Sequence, residues 1–236
     1  MQMITVRLKF TKGEEVKYIS HLDLMRTFQR AIRRSGLPVA YSSGFNPHQE
    51  ISFGAPLSLG VTSSAEFVDI KLVSEMYVGE LKERLNPALP RGIQILDGRI
   101  LPEKFKSAMS LVTHARYSIR MLIDNISADM LQSSLAAFME QAAIPVMKEQ
   151  PKKGFELKEI DIKPLIVSIK VMYGGDGEFF LNCMLKSGSQ ANLKPELLVK
   201  AFGKFADYAI SGVKINREAV YTEQNGEIID LLDYKG

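Results

Sequence analysis

Cysteine is nearly absent: Cys183 is the single one in 236 residues. That excludes an intrachain disulfide and fits a reducing compartment. It also excludes a self-contained iron–sulfur cluster, which needs several thiolates, and a thiolate-built zinc site. Any such chemistry belongs to a partner. Tryptophan is missing altogether. No apolar run reaches the roughly 18 residues of a membrane span, and there are no heptads or low-complexity tracts. The opening MQMITVRLKF lacks the apolar core and cleavage site of a signal peptide. The expectation is a cytoplasmic protein with no membrane partner.

What is present is globular: 46% hydrophobic and 24% charged residues, enough for one large domain or two small ones. The formal charge of +3 says little. Its distribution says more, because the excess of Lys and Arg lies in the first half, much of it on one helix.

Residues 4–10, ITVRLKF, alternate as a half-buried strand does. SHLDLMRTFQRAIRRSG has helical spacing, with Ser20 and Asp23 as a capping-box pair and Gly36 as its stop. VAYS and EISF read as short strands, AEFVDIKLV as a longer one, YVGELKERL as a helix and GIQILDGRI as a strand. The order is β-α-β-β-α-β, a ferredoxin-like pattern. Residues 102–111 have no period and read as a linker. The pattern then returns, without matching residues, and closes on Asn225-Gly226, a hairpin signal. The predicted fold is α+β: two tandem ferredoxin-like domains, residues 1–101 and 112–236, the second ending in a C-terminal hairpin.

On the first helix, Leu24, Met25, Phe28, Ala31 and Ile32 share one arc, and Arg26, Arg30, Arg33 and Arg34 the opposite one. A solvated face is the simplest account. The functional account is a ridge for phosphates, whose geometry the guanidinium fork matches. Only Asp23 is nearby, and no Glu stands ready for i,i+4 pairing.

The loop YSSGFNPHQEISFG carries Tyr41, Phe45, Asn46 and His48 among tight-turn residues. Its aromatics read either as core plugs or as stacking surfaces for a base. Core plug suits Phe53, and stacking suits Phe45. His21 falls toward the apolar arc, so a buried, hydrogen-bonded histidine is its plain reading. The alternative groups His21, Asp23 and His48 as metal ligands or an acid–base set. No metal or cofactor is expected as such. In the second half, the glycine turn at Gly188 before a helix reads as an ordinary loop with an anion site as its rival. Lys148, Lys152 and Lys153 form a basic loop of low specificity. Cys183 reads as a buried thiol.

Residues 20–70, SHLDLMRTFQRAIRRSGLPVAYSSGFNPHQEISFGAPLSLGVTSSAEFVDI, resemble the bacterial radical SAM-linked proteins, a family of unknown function encoded beside or fused to radical SAM proteins. The likeness is specific over residues 5–72 and looser over 113–220. It carries His21, Asp23, Arg26, Arg30, Tyr41, Gly44, Phe45, Asn46, Pro47, His48 and Gly54, without established roles. The family loop commonly continues Asn-Pro-His-Pro and a basic residue, whereas Gln49 and Glu50 follow His48 here. The resemblance implies a radical SAM protein as partner. The family's gene neighbourhoods point toward RNA, tRNA or rRNA.

The expected function is therefore a non-catalytic accessory protein of a radical SAM enzyme, binding RNA or docking the enzyme. Two alternatives stand beside it: an RNA-processing endonuclease of the tandem ferredoxin-like type using His21 or His48, and a protein–protein adaptor.

Overall fold

The computed structural model describes residues 3–150 and 156–235. The fold is α+β with a large mixed sheet, and it divides into two compact units. The first is Met1–His114 with Asn216–Gly236; the second is Ala115–Ile215.

The first unit runs β1 (Ile4–Lys12), α1 (His21–Ser35), β2 (Ile51–Phe53), β3 (Thr62–Leu72), α2 (Val78–Leu85) and β4 (Ile95–Leu101). β1 lies between β4 and β3, antiparallel to both, and β2 pairs antiparallel with β3 on its other edge. The order is β4-β1-β3-β2. Alternation does the sorting. Val6, Leu8 and Phe10 of β1 and Val68, Ile70 and Leu72 of β3 join Leu24, Phe28, Ala31 and Ile32 of α1 and Leu81 and Leu85 of α2 in one core. α1 begins as its sequence dictates, with Ser20 Oγ accepting from Asp23 N at 3.1 Å. It ends at Gly36, whose φ of 62° suits glycine.

The other face of this sheet differs from the expectation. Alternation places Arg7 and Asp69 there, and a polar face normally meets water. Here the face is covered. Residues 102–111 are not a linker: they contain α3 (Ala108–Leu111), capped by Ser107, and Ala108 and Leu111 are buried with Phe67, Val112, Val220 and Leu231. The C-terminal segment also belongs to this unit. Asn216 and Arg217 of β10 (Ile210–Gln224) pair parallel with Thr62 and Ser63 of β3. β11 (Glu227–Asp230) folds back on β10 across Asn225-Gly226, both at positive φ as the hairpin signal requires. The expected boundary, with residues 112–236 as one domain, fails to anticipate this return. Pairing across about 150 positions leaves no local trace in a sequence.

The second unit contains β5 (His114–Ile123), α4 (Ala128–Glu140), β6 (Pro145–Gln150), β7 (Glu156–Asp161), β8 (Ile166–Gly175), β9 (Glu178–Lys186), α5 (Pro195–Ala206) and the start of β10. Its strand order is β10-β5-β9-β8, with β6 and β7 forming a separate two-stranded sheet. IDIKPLIVSIKVMY has the apolar content of a single strand but is broken by a short 3₁₀ turn at Lys163–Leu165, where Pro164 cannot donate to a ladder. Phe138 of α4 packs edge-on to Phe202 of α5 at 5.4 Å. Cys183 is buried in β9, as expected.

Candidate nucleic-acid interface

The four arginines of α1 are all exposed, as the helical arc requires. Their surroundings differ. Arg26 Nη1 lies 3.3 Å from Asp23 Oδ1, a pair open to solvent. Arg30 Nη2 lies 3.4 Å from Thr27 Oγ1. Arg34 donates to the Ala88 carbonyl and so helps hold the chain after α2. Arg33 carries no such contact among the described residues. Arg84 of α2, which the sequence did not single out, donates to the Ser35 and Gly36 carbonyls at the end of α1. Cations there also suit the helix dipole. Three guanidiniums, those of Arg26, Arg30 and Arg33, thus face water with at most weak partners.

Asp23 is held below the usual carboxylate range, chiefly by the Ser20 hydroxyl and further by Arg26. Its cap geometry is a sufficient reason for its place. His21, expected to be buried, is exposed, although its ring packs edge-on to Phe53 at 5.6 Å. The first turn of a helix leaves that position at the rim of the core. Phe53 is the core plug expected of it, against Phe10 at 6.0 Å and Phe28 at 5.1 Å. Among the described residues, no three His, Cys, Asp or Glu side chains converge as metal ligands. His21, Asp23 and His48 are therefore not brought together as one site.

The 41–54 loop is a pinned hairpin. Ser42 N donates to the His48 carbonyl at 2.8 Å, and Glu50 N to the Ala40 carbonyl at 2.8 Å. Ser42 Oγ accepts from His48 N at 3.1 Å and lies 2.8 Å from His48 Nδ1. Gly44, at a φ of 120°, turns the tip. Asn46 and His48 are exposed, Tyr41 is 52% exposed and Phe45 wholly so. Phe45 is no core plug.

The Gln49-Glu50 departure has a local explanation. Gln49 is buried, its amide reaching the Tyr41 hydroxyl at 3.4 Å. Glu50 pairs with Lys71 at 2.9 Å. The acid is thus matched inside the unit. It borders an open groove of about 830 Å³ lined by Met3, Ile51, Leu101 and Phe105 among others.

In the second unit, α5 begins with Glu196 in its first turn and Lys194 as an N-cap without a side-chain bond. A carboxylate already sits at that helix end, which does not favour an anion after Gly188. Lys148 lies on β6; Lys152 and Lys153 fall outside the described residues.

The sequence also passed over a buried polar centre. Arg217 of β10 clasps Glu66 of β3 and donates to the Ala55 carbonyl at 2.9 Å. Lys12, buried at the end of β1, donates to the Lys17 and Ile19 carbonyls at 3.0 and 3.3 Å. Burial lowers its pKa; Glu66 works against that, and Arg217 reinforces it. The one advance signal was charge inside the apolar strands VRLKFTK and AEFVDIK, with Lys12 and Glu66 out of step with the alternation of their neighbours.

With this geometry in view, the class is an α+β protein built on a large mixed sheet. The chain belongs to the family described as "Uncharacterized protein conserved in bacteria (DUF2344)", whose model matches residues 5–195. No curated protein matches it. Among solved structures, a chain of "Crystal Structure of a Cbf5-Nop10-Gar1 Complex" is similar over 94% of this chain at 9% identity and a TM-score of 0.50. A chain of "Structure of H/ACA RNP bound to a substrate RNA containing 2'-deoxyuridine" covers 91% at 10% identity and 0.46. An unknown protein from Galdieria sulphuraria covers 91% at 11% identity and 0.27. This chain spans about half the length of the first two solved chains, 50% and 46%, and almost all of the third, 99%. The first likeness concerns the fold alone. No described helix is long and apolar enough to cross a membrane.

Proposed function

We propose that this protein is a non-catalytic module that serves a radical SAM enzyme by holding an RNA substrate. We read its two units as ferredoxin-like, a reading supported by the orders β4-β1-β3-β2 and β10-β5-β9-β8. The radical SAM partner rests on the sequence resemblance and on cysteine chemistry. A chain with one cysteine serves cluster chemistry only from outside.

The observation that carries the RNA reading is the row of exposed guanidiniums of Arg26, Arg30 and Arg33 on a rigid, well-capped helix. Guanidinium forks bind phosphate oxygens in pairs, and each contact releases counterions. Phe45, fully exposed at the tip of a pinned loop, adds a ring on which a base can stack. Tyr41, Asn46 and His48 border it in sequence.

Purification at low salt tests this reading. The expected result is co-purifying nucleic acid that nuclease and high salt both remove. Protein free of nucleic acid at low salt, retaining the radical SAM protein in the presence of nuclease, overturns it in favour of the adaptor. One contact favours a second reading. Ser42 Oγ, 2.8 Å from His48 Nδ1, orients the ring as a general acid or base would require. RNA cleavage by the pure protein, lost in His48→Ala, is the signature of that endonuclease.

A further inference from the structure

A second exposed ring is held more firmly than Phe45. Tyr18 is 74% exposed and stands three residues before α1. Exposed tyrosines are common and singly need no explanation. The backbone beneath this one does. The carbonyls on either side of it, of Lys17 and Ile19, both accept from the buried Lys12 ammonium, at 3.0 and 3.3 Å. The Lys17 carbonyl also accepts from Gly60 N at 3.0 Å. Gly60 has a φ of 81°, and a Cβ there would sit 3.4 Å from Tyr18 Cε1. The glycine lets its loop lie against the ring's edge. Lys17 Nζ stands over the ring, 5.1 Å from its centroid, and is itself tethered to Glu14 at 2.7 Å.

The arrangement has the marks of preorganisation. A buried lysine is costly unless its donors are used, and here they are spent on the two carbonyls that frame one exposed aromatic. Tyr77 provides the contrast. It is 80% exposed, but it is an ordinary N-cap position of α2 without a side-chain cap bond. A planar, π-bearing partner suits the Tyr18 ring, and the exposed arginines of α1, the helix that follows it, suit an anion attached to that partner. A nucleobase joined to a backbone phosphate has both features.

We infer that Tyr18, clamped by Lys12 and Gly60 and flanked by Lys17, is a stacking platform for an unpaired base, so that the RNA held is single-stranded where it meets this end of α1. The inference rests on the RNA-binding reading above. It deepens that reading, because a phosphate ridge alone does not distinguish single strands from duplexes, whereas a stacking ring needs a base out of its pair.

Binding of the full chain to a labelled single-stranded oligouridylate and to an RNA duplex of equal length tests it. The wild type should prefer the single strand. Tyr18→Ala should weaken single-strand binding roughly tenfold and leave duplex binding unchanged. Tyr18→Phe, which keeps the ring, should bind as the wild type does, and so should Tyr77→Ala. Thermal melts should match throughout, since Tyr18 buries little. Equal binding of both RNAs, with Tyr18→Ala changing neither, overturns the platform while the phosphate ridge stands. A wild type that binds neither RNA at low salt overturns both.

Discussion

Arg7 and Arg217 are 1% exposed and clasp Asp69 and Glu66, whereas Arg26, Arg30, Arg33 and Arg34 stand in water along one side of α1. The side chain is the same; the surroundings decide what it does. Arg7 places Nε 2.7 Å and Nη2 3.0 Å from the two Asp69 oxygens. Its Nη2 also donates to the Lys106 carbonyl at 2.8 Å, and Asp69 accepts from Ala108 N at 2.8 Å. The pair therefore ties the 102–111 segment to the sheet. Arg217 does the same for the turn at Ala55 and for the returning strand β10. Buried arginines here organise chain segments. Of the exposed ones, Arg34 still holds the Ala88 carbonyl, and Arg26, Arg30 and Arg33 are the three proposed to meet RNA.

Breaking a buried pair should have the largest effect. Arg217→Ala leaves the Glu66 carboxylate buried and unmatched, and should cost about 3–5 kcal/mol in chemical denaturation. Arg217→Met with Glu66→Leu should recover part of that loss, because the uncompensated carboxylate goes with the pair while buried Lys12 loses the Glu66 charge that favours its charged form. If the single and double variants were equally unstable, lost packing and not charge would be responsible. Next in size is the cap of α1: Ser20→Ala should cost about 1 kcal/mol in the same measurement. Smaller still is the stability effect of Arg26→Ala, Arg30→Ala or Arg33→Ala, within about 0.5 kcal/mol at each site. Arg34 is the informative exception, since its bond to the Ala88 carbonyl makes Arg34→Ala the most destabilising of the four.

The smallest effect concerns a carboxylate matched by backbone instead of arginine. Asp161 Oδ1 accepts from Ile144 N at 2.8 Å and Lys163 N at 3.0 Å, which hold its pKa below the usual 3.8. A depressed folded pKa gives stability that is present above the unfolded value and is lost as pH falls through the folded one. Melting points followed down through pH 3.8 should therefore fall less steeply in Asp161→Ala than in the wild type.

The same contrast between arginines marks what the sequence could convey. α1 was legible: Ser20, Asp23 and Gly36 act locally, and a 3.6-residue period fixes which arc faces the core. So was the Asn225-Gly226 hairpin. The exposed arginines and Phe45 followed from those local rules. The buried pairs did not. Alternation tells that Arg7 and Val6 face opposite ways, but not that α3 and the C-terminal segment will cover the Arg7 side. That depends on chain segments about 100 and more than 200 positions away. Lys12 was hidden for a related reason. Beside Gly13 it reads as a turn lysine, and only the folded path shows its ammonium beneath Tyr18.

The most direct measurement is the salt dependence of RNA binding by the wild type and by the Arg26→Ala, Arg30→Ala, Arg33→Ala triple variant. Each lost phosphate contact to a single strand should reduce the log–log slope by about 0.7. The account predicts a slope shallower by about 2 and weaker binding at low salt, with an unchanged melting point. An unchanged slope and affinity in the folded triple variant would contradict it.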